Sequence, residues 1–334
     1  MKSIPFSPPR IDEKTIEKVT EVLRSGWITT GPVTRALEGK MADYIGGGPV
    51  LCLNAWTNAV ELVLRWFGVC AGDEVIIPAY TYAATANIVV HVGAVPVMVD
   101  IEKDGFLIDL DSVQKAITSR TKVIMPVDFG GLPVDYQAVM TIAENGRDQF
   151  VAKNDNQQKL GRILVISDAA HSFGAKYQGN PIGREVDVAA FSFHAVKNFT
   201  TAEGGALVFN LPSPFDNKAV WSQINTKALH GQTKDAFSKS QAGQWQYDIV
   251  EAGYKCNMTD IHAALGWVEM DRYEADHLPR RKEIVLRYDA HFNGVSGLIL
   301  PRFVEGVRES SYHLYPLRLE GFNEEMRNAL ITSL

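Results

Sequence analysis

From about residue 50 the chain alternates short, continuously apolar runs with longer segments whose apolar positions recur every three or four residues. Runs at 50–53, 75–77, 95–99, 123–125, 163–166, 188–193 and 206–209 are rich in Val, Ile and Phe, the pattern of strands covered on both faces. Between several of them, 57–67, 82–92, 110–117 and 135–143 carry helical spacing. The alternation predicts an α/β fold, a mostly parallel seven-stranded sheet with helices on both faces. Asn, Gln and Lys crowd 144–161, which reads as a surface insertion, and 212–217 and 231–243 read as loops. Further on, 258–273 has helical spacing with Asn257 or Thr259 as its cap. Pro279 opens a second helix to about Phe292, because proline is tolerated in a first turn. A strand at 311–319 and a helix at 324–331 follow, with Met326, Leu330 and Ile331 on one apolar helix face expected to dock on a small sheet. We therefore expect a large domain over 1–245, N-terminal arm included, and a small, incomplete C-terminal α+β domain over 246–334.

Length and composition narrow the class. A chain of 334 residues, 46% hydrophobic and 22% charged, is that of an ordinary globular protein with more than one core. Its 33 basic and 39 acidic side chains leave a net charge of -6, no footprint for nucleic acid, although a local basic patch could hold a nucleotide diphosphate. Cys52, Cys70 and Cys256 show no CxxC spacing and fit buried thiols in a reducing cytoplasm. The first ten residues carry no signal-peptide core, and the most apolar stretch, 89–99, contains His91, Gly93 and Pro96 and is too short to span a bilayer. We expect a cytoplasmic protein with neither a membrane nor a nucleic-acid partner.

In a parallel sheet ligands bind at the carboxyl ends of the strands, and those ends are chemically rich here. One is followed by Ser167-Asp168-Ala169-Ala170-His171, another by His194-Ala195-Val196-Lys197-Asn198. Asn54-Ala55-Trp56-Thr57 opens a helix, and Pro78-Ala79-Tyr80-Thr81-Tyr82 closes another strand. A lysine, a carboxylate, an aromatic ring and hydroxyls at a helix start together suit pyridoxal 5'-phosphate. That cofactor needs an amine for a Schiff base and a carboxylate to keep its ring nitrogen protonated. It also needs backbone amides for its phosphate. Each piece alone has a plainer reading: an aspartate caps, a lysine is solvated, an aromatic packs. The ordered set points to the cofactor. His194 either acts beside the lysine or packs, while His91, His262, His277 and His291 lie in helical runs and read as structural or solvated. No HExxH or CxxC grouping supports a metal, and neither a dinucleotide fingerprint nor a GxxxxGK[ST] phosphate loop is present.

The chain resembles the DegT/DnrJ/EryC1/StrS aminotransferases, fold-type I pyridoxal phosphate enzymes that act on nucleotide-linked keto sugars. Ser25-Gly26-Trp27-Ile28-Thr29-Thr30-Gly31-Pro32 and Gly72-Asp73-Glu74-Val75-Ile76-Ile77-Pro78 match family motifs, as does Thr85-Ala86-Asn87. Ser192-Phe193-His194-Ala195-Val196-Lys197-Asn198 with Glu203-Gly204-Gly205 resembles the lysine segment. Gly253-Tyr254-Lys255-Cys256-Asn257-Met258-Thr259-Asp260 resembles the segment that reaches a neighbouring subunit's site.

The resemblance implies that Lys197 forms the Schiff base and then shuttles a proton, with Asp168 on the ring nitrogen and His171 beside the ring's 3-hydroxyl. It implies Tyr82 stacked on the ring, and Thr57, Ser192 and the Trp56 and Thr57 amides on the phosphate. Asn257, with Lys255, would come from the partner of a homodimer whose sites lie at the interface. Nucleotide sugar and glutamate would be the substrates. Trp56 stands where the family has glycine and Cys256 where it has tyrosine. Relatives also continue past the last helix, which is why we expect the small domain to be incomplete. A lysine at 197 favours a transferase over the related sugar dehydratases, some of which carry histidine there. A lapsed binding or regulatory homologue is the remaining alternative.

Overall fold

The computed structural model describes residues 7–234, 237, 239, 243 and 245–334. Two helices precede the sheet, α1 (Glu13–Ser25) and α2 (Pro32–Ile45). Asp12 caps α1 by accepting from the Thr15 N–H at 3.2 Å, and Gly26, at φ 73, ends it in a left-handed turn that a side chain would strain. The α2 start is capped from far away. Asp260 accepts from the N–H groups of Gly31, Val33 and Thr34 at 2.8–3.1 Å and from the Thr34 hydroxyl at 2.6 Å.

Strands and helices then alternate as the pattern predicts: β1 (Val50–Leu53), α3 (Trp56–Trp66), β2 (Glu74–Pro78), α4 (Ala83–His91), β3 (Val95–Val99), α5 (Leu110–Ala116) and β4 (Thr121–Ile124). Next come α6 (Tyr136–Asn145), α7 (Asp155–Leu160), β5 (Leu164–Asp168), β6 (Val188–Ser192), β7 (Gly205–Phe209) and α8 (Asn217–Ala228). The seven strands form one sheet in the order β1-β7-β6-β5-β4-β2-β3. Only β7 runs antiparallel to its neighbours, β1 and β6. The remaining pairings are parallel.

Strand periodicity sends successive side chains to opposite layers. Val50, Cys52, Val165, Phe191 and Val208 join one apolar layer with α2, α5 and α6, while Leu51, Leu53, Leu164, Val188 and Leu207 join the other with α3, α4 and α8. Burial on both faces is why the strands read as continuous apolar runs. The edge strand β3 is the exception, with Val95 51% and Met98 57% exposed.

Four details depart from the sequence pattern. The polar stretch 144–161 contains α7, because Asn154 caps it and the buried Gln157 amide donates to the Phe67 carbonyl at 3.0 Å. The helices α9 (Asp260–Arg272), capped by Thr259, and α10 (Leu278–Phe292) are joined through a wide turn at Tyr273–His277 instead of a break. The stretch 311–319 is strand only at Arg318–Leu319, paired with Leu298–Ile299. Its earlier amides go to loop carbonyls: Ser311 to Gly131 and His313 and Leu314 to Gly130, at 3.0–3.2 Å, with Tyr312 at φ 58 reversing the chain. Finally, α11 (Glu324–Ser333) has no buried residue, with Met326 46% and Ile331 65% exposed, so its apolar face does not dock as expected. A pair of two-residue strands offers no sheet face to receive it. The loop expected at 231–243 lies partly outside the described residues.

Short strands Val304–Glu305 and Arg308–Glu309 extend a hairpin at Lys176–Tyr177 and Asn180–Pro181. Residues after 300 thereby lie against the segment that follows Asp168. Among the described residues, no helix is long and apolar enough to cross a membrane, and no group of three His, Cys, Asp or Glu side chains is placed to hold a metal.

Candidate active site

A cavity of about 360 Å³ opens at the carboxyl rim of the sheet. Seven of the residues singled out from the sequence line it: Trp56, Thr57, Tyr82, Asp168, His171, Ser192 and Lys197. They arrive from separate elements. Trp56 and Thr57 open α3, Tyr82 is the residue before α4, Asp168 and Ser192 end β5 and β6, and Lys197 lies in the turn beyond β6. That turn is pinned by the Lys197 N–H on the His194 carbonyl at 2.9 Å, and by Phe193 exchanging backbone bonds with Gly204 and Thr201.

Asp168 and Lys197 share one electrostatic environment. Asp168 is 4% exposed, and burial pushes its carboxyl up to about 7. Its donors, the Thr85 hydroxyl at 3.0 Å and the Ala170 N–H at 3.2 Å, and the positive charge of Lys197 oppose that rise. A further hydroxyl, Thr81, donates to Thr85 at 2.8 Å, so the chain of donors ends on the carboxylate. Burial likewise holds the Lys197 amine below its ordinary value, against the pull of Asp168. A lowered amine is a readier nucleophile near neutral pH.

His171 is held neutral. Burial, then the nearby Lys197 charge, drives it down to about 3. Its Nδ1 accepts from the Gly130 N–H at 3.3 Å, which leaves the proton on Nε2, a donor. Two residues that do not line the cavity, and that the sequence pattern does not single out, stand behind His171. The His313 ring lies 4.4 Å from the His171 ring, and its Nδ1 meets the Asn198 carbonyl oxygen at 2.7 Å. Asn198, beside Lys197, donates in turn to the Ser311 carbonyl at 2.7 Å. Asn198 was visible only as the neighbour of the lysine, and His313 fell in a stretch read as strand. Thr85 was legible as part of a motif, but its bond to Asp168 was not.

The opposite end of the cavity suits a phosphate. The α3 N-terminus carries no side-chain cap, leaving the Trp56 and Thr57 amides at the positive end of an eleven-residue helix. Ser192 pairs with Gly205 across β6 and β7. A Cβ on Gly205 would lie 2.6 Å from the Trp56 nitrogen, so glycine lets this helix start approach the sheet. Trp56 itself points into the apolar layer, where its ring is buried and its indole nitrogen lacks a partner among the described residues. The bulky replacement of glycine is thus accommodated away from the amides. Tyr82 is 78% exposed at the mouth and has no ring neighbour among the described residues, a flat face free for stacking. An amine, a buried carboxylate, a neutral imidazole donor and uncapped amides form a set that fits pyridoxal phosphate.

Asn257 is not part of this cavity. Its backbone bridges Leu53 and its amide donates to the Thr30 hydroxyl, on the outer side of the β1 end. His194 lines the cavity and lies 3.7 Å from Glu203.

The model of the DegT/DnrJ/EryC1/StrS aminotransferase family matches residues 9–334. Spr1654 of Streptococcus pneumoniae, described as a sugar aminotransferase, is 48% identical in its PMP-form structure, with 99% of this chain and 82% of that chain covered at a TM-score of 0.94. Its PLP-form is 46% identical at the same TM-score of 0.94, covering 100% of this chain and 82% of that one. Helicobacter pylori PseC, an aminotransferase involved in the biosynthesis of pseudoaminic acid, is 27% identical with a TM-score of 0.86, covering 99% and 82%. The spore coat polysaccharide biosynthesis protein SpsC of Bacillus subtilis strain 168 is 36% identical over 333 residues, 99% of this chain and 80% of that protein.

Proposed function

The chain belongs to the DegT/DnrJ/EryC1/StrS aminotransferase family, with the fold-type I architecture and pyridoxal 5'-phosphate as cofactor, and from that premise we propose that it transfers an amino group from glutamate to a nucleotide-linked keto sugar. A 4-keto-6-deoxy hexose is the proposed acceptor, and amino-sugar or surface-polysaccharide synthesis the setting. The names of PseC and SpsC support that setting. The observation that carries the reading is the placement of Lys197, with its lowered amine, in one cavity with the buried Asp168 carboxyl.

Pyridoxal phosphate, when bound, supplies an electrophilic carbon and an aromatic ring that takes up an electron pair. Everything else falls to the chain. Lys197 would offer its unprotonated amine to that carbon and would carry a proton on and off the substrate carbon. Asp168, fixed by Thr85 and Ala170, holds a proton at the ring nitrogen. His171 donates from Nε2 to the 3-hydroxyl oxygen, its tautomer set by Gly130. The Trp56 and Thr57 amides with the Thr57 and Ser192 hydroxyls bind the phosphate, and Tyr82 covers the ring's open face. Asn257, with Lys255, adds a contact in the neighbouring site of a homodimer. We assign this machinery to a large unit over 1–245, complemented by the smaller one over 246–334, in a cytoplasmic enzyme. The test is absorbance of the purified holoenzyme: the visible band of the lysine-bound cofactor is expected to shift on adding glutamate and to return on adding a keto sugar nucleotide. A band indifferent to glutamate would refute the donor.

A further inference from the structure

Beneath the cavity lies a second buried carboxylate, Asp128, which no step above uses. It is fully buried on the loop after β4, and its backbone N–H donates to the Asp168 carbonyl at 3.1 Å. Its side chain gathers four donors. Oδ1 accepts from the Val134 N–H at 2.9 Å, and Oδ2 accepts from the hydroxyls of Tyr136 at 2.5 Å, Ser172 at 2.7 Å and Ser167 at 3.3 Å. Ser167 precedes Asp168, and Ser172 follows His171. One carboxylate oxygen therefore holds both ends of the arc that carries both residues. The arc is short and irregular beyond Asp168: its backbone is tied by the Ala169 N–H on the Ala190 carbonyl at 2.9 Å, the Ser172 N–H on the Ala169 carbonyl at 3.1 Å and the Ser311 hydroxyl on the His171 carbonyl at 2.6 Å, and the Asp128 carboxylate adds a hold on the serine at each end.

We propose that Asp128 is a positioning residue, whose carboxylate pins residues 167–172 and whose charge strengthens the hold of Asp168 on the proton at the cofactor's ring nitrogen. The inference rests on the reading of Asp168 given above. Four donors favour the ionised form of Asp128 and burial opposes it, leaving its carboxyl at about 6. The groups facing Asp168 are Asp128 from below, Lys197 from the turn after β6, His171 from its own loop and the Thr85 hydroxyl from α4. Those facing Asp128 are Tyr136 of α6, the two serines and Asp168. Of these, Lys197 favours ionised Asp168 and Asp128 disfavours it. A negative charge so placed favours a shared proton staying in the site.

The experiment follows the ring nitrogen of ¹⁵N-labelled pyridoxal phosphate by NMR in the holoenzyme against pH, together with cofactor affinity. Asp128→Asn keeps the shape and removes the charge, and should move release of the ring proton about one pH unit lower, a tenfold loss of proton affinity, with kcat reduced and the KM for glutamate unchanged. Ser172→Ala leaves the charge and cuts one pin, and should weaken cofactor binding about tenfold, the scale of one charge-assisted hydrogen bond. A parental ring-nitrogen titration in Asp128→Asn overturns the role of the charge, and parental cofactor affinity in Ser172→Ala overturns the pinning. Should Asp128→Asn fail to fold, the Ser167→Ala/Ser172→Ala pair decides, since parental affinity there would overturn the proposal. Asp168→Asn runs in parallel. If it leaves the ring nitrogen unchanged the assignment of Asp168 fails, whereas a shift there with none in Asp128→Asn overturns Asp128 alone.

Discussion

Asp168→Asn should stabilise the cofactor-free protein above neutral pH while disabling its chemistry. Burial raises the Asp168 carboxyl from 3.8 to about 7 in the folded chain. Its folded value lies above its unfolded one, so the folded state keeps a proton that the unfolded state releases. The stabilisation from that proton is complete below about pH 4 and is lost as pH rises to about 7. At about 1.4 kcal/mol per pH unit, ionising Asp168 costs the cofactor-free fold about 4 kcal/mol above pH 7. Asparagine carries no charge there. It keeps one acceptor for Thr85 or Ala170 and gives up about 1 kcal/mol in the other hydrogen bond. The net gain at pH 8 is about 3 kcal/mol, and near pH 4, where Asp168 is protonated in both states, it reverses to a loss of about 1 kcal/mol. With cofactor bound, the neutral amide no longer holds the ring proton, and the half-reaction with glutamate should slow by about 3–5 kcal/mol of transition-state stabilisation, hundreds- to thousands-fold. Thermal melts of the cofactor-free proteins at pH 5 and pH 8 test the first part, and stopped-flow absorbance of the half-reaction tests the second. A variant less stable than its parent at pH 8 would overturn the buried charge of Asp168, and near-normal half-reaction rates would remove it from the chemistry.

Lys197→Ala should abolish the band of the lysine-bound cofactor and all turnover, while the protein still takes up pyridoxal phosphate through its phosphate end, measurable by equilibrium dialysis. Thr57→Val removes one hydroxyl from that end and should weaken cofactor binding about tenfold, the cost of one hydrogen bond to a charged group, read by fluorescence titration. Because His171 is held near 3, no break in cofactor affinity between pH 5 and 8 should disappear in His171→Asn, and a break lost in that variant would contradict the neutral imidazole. Asp260→Ala strips the α2 start of four hydrogen bonds and should destabilise the fold by about 2–4 kcal/mol in urea denaturation.

The strands and most helices were legible because a sheet covered on both faces leaves an unbroken apolar signature, and because strand ends point at the ligand side of such a sheet. Lys197, Asp168 and Ser192 stand at those ends, so their convergence on one rim followed from topology. Contacts made across the fold left no local mark. Asp128 reads as an unremarked loop acid until Tyr136, Ser167 and Ser172 fold around it. His313 reads as part of a strand, yet its backbone bonds to Gly130 because Tyr312 turns the chain at φ 58. Asn257 matches a family motif, but in its own chain it lies against Thr30, outside the cavity. The polar stretch 144–161 gives no periodic signal for α7 because that helix is held by a buried glutamine on a backbone carbonyl.

We propose above all that an amino group passes from glutamate to a nucleotide-linked sugar through the site around Lys197. The direct measurement is mass spectrometry of the products formed by the holoenzyme from ¹⁵N-glutamate and a panel of UDP-, dTDP- and GDP-linked keto sugars. An amino sugar nucleotide carrying the ¹⁵N label is expected for at least one 4-keto-6-deoxy acceptor, with 2-oxoglutarate formed in equal amount. A dehydrated, nitrogen-free product, or no labelled sugar from any acceptor, would contradict the proposal.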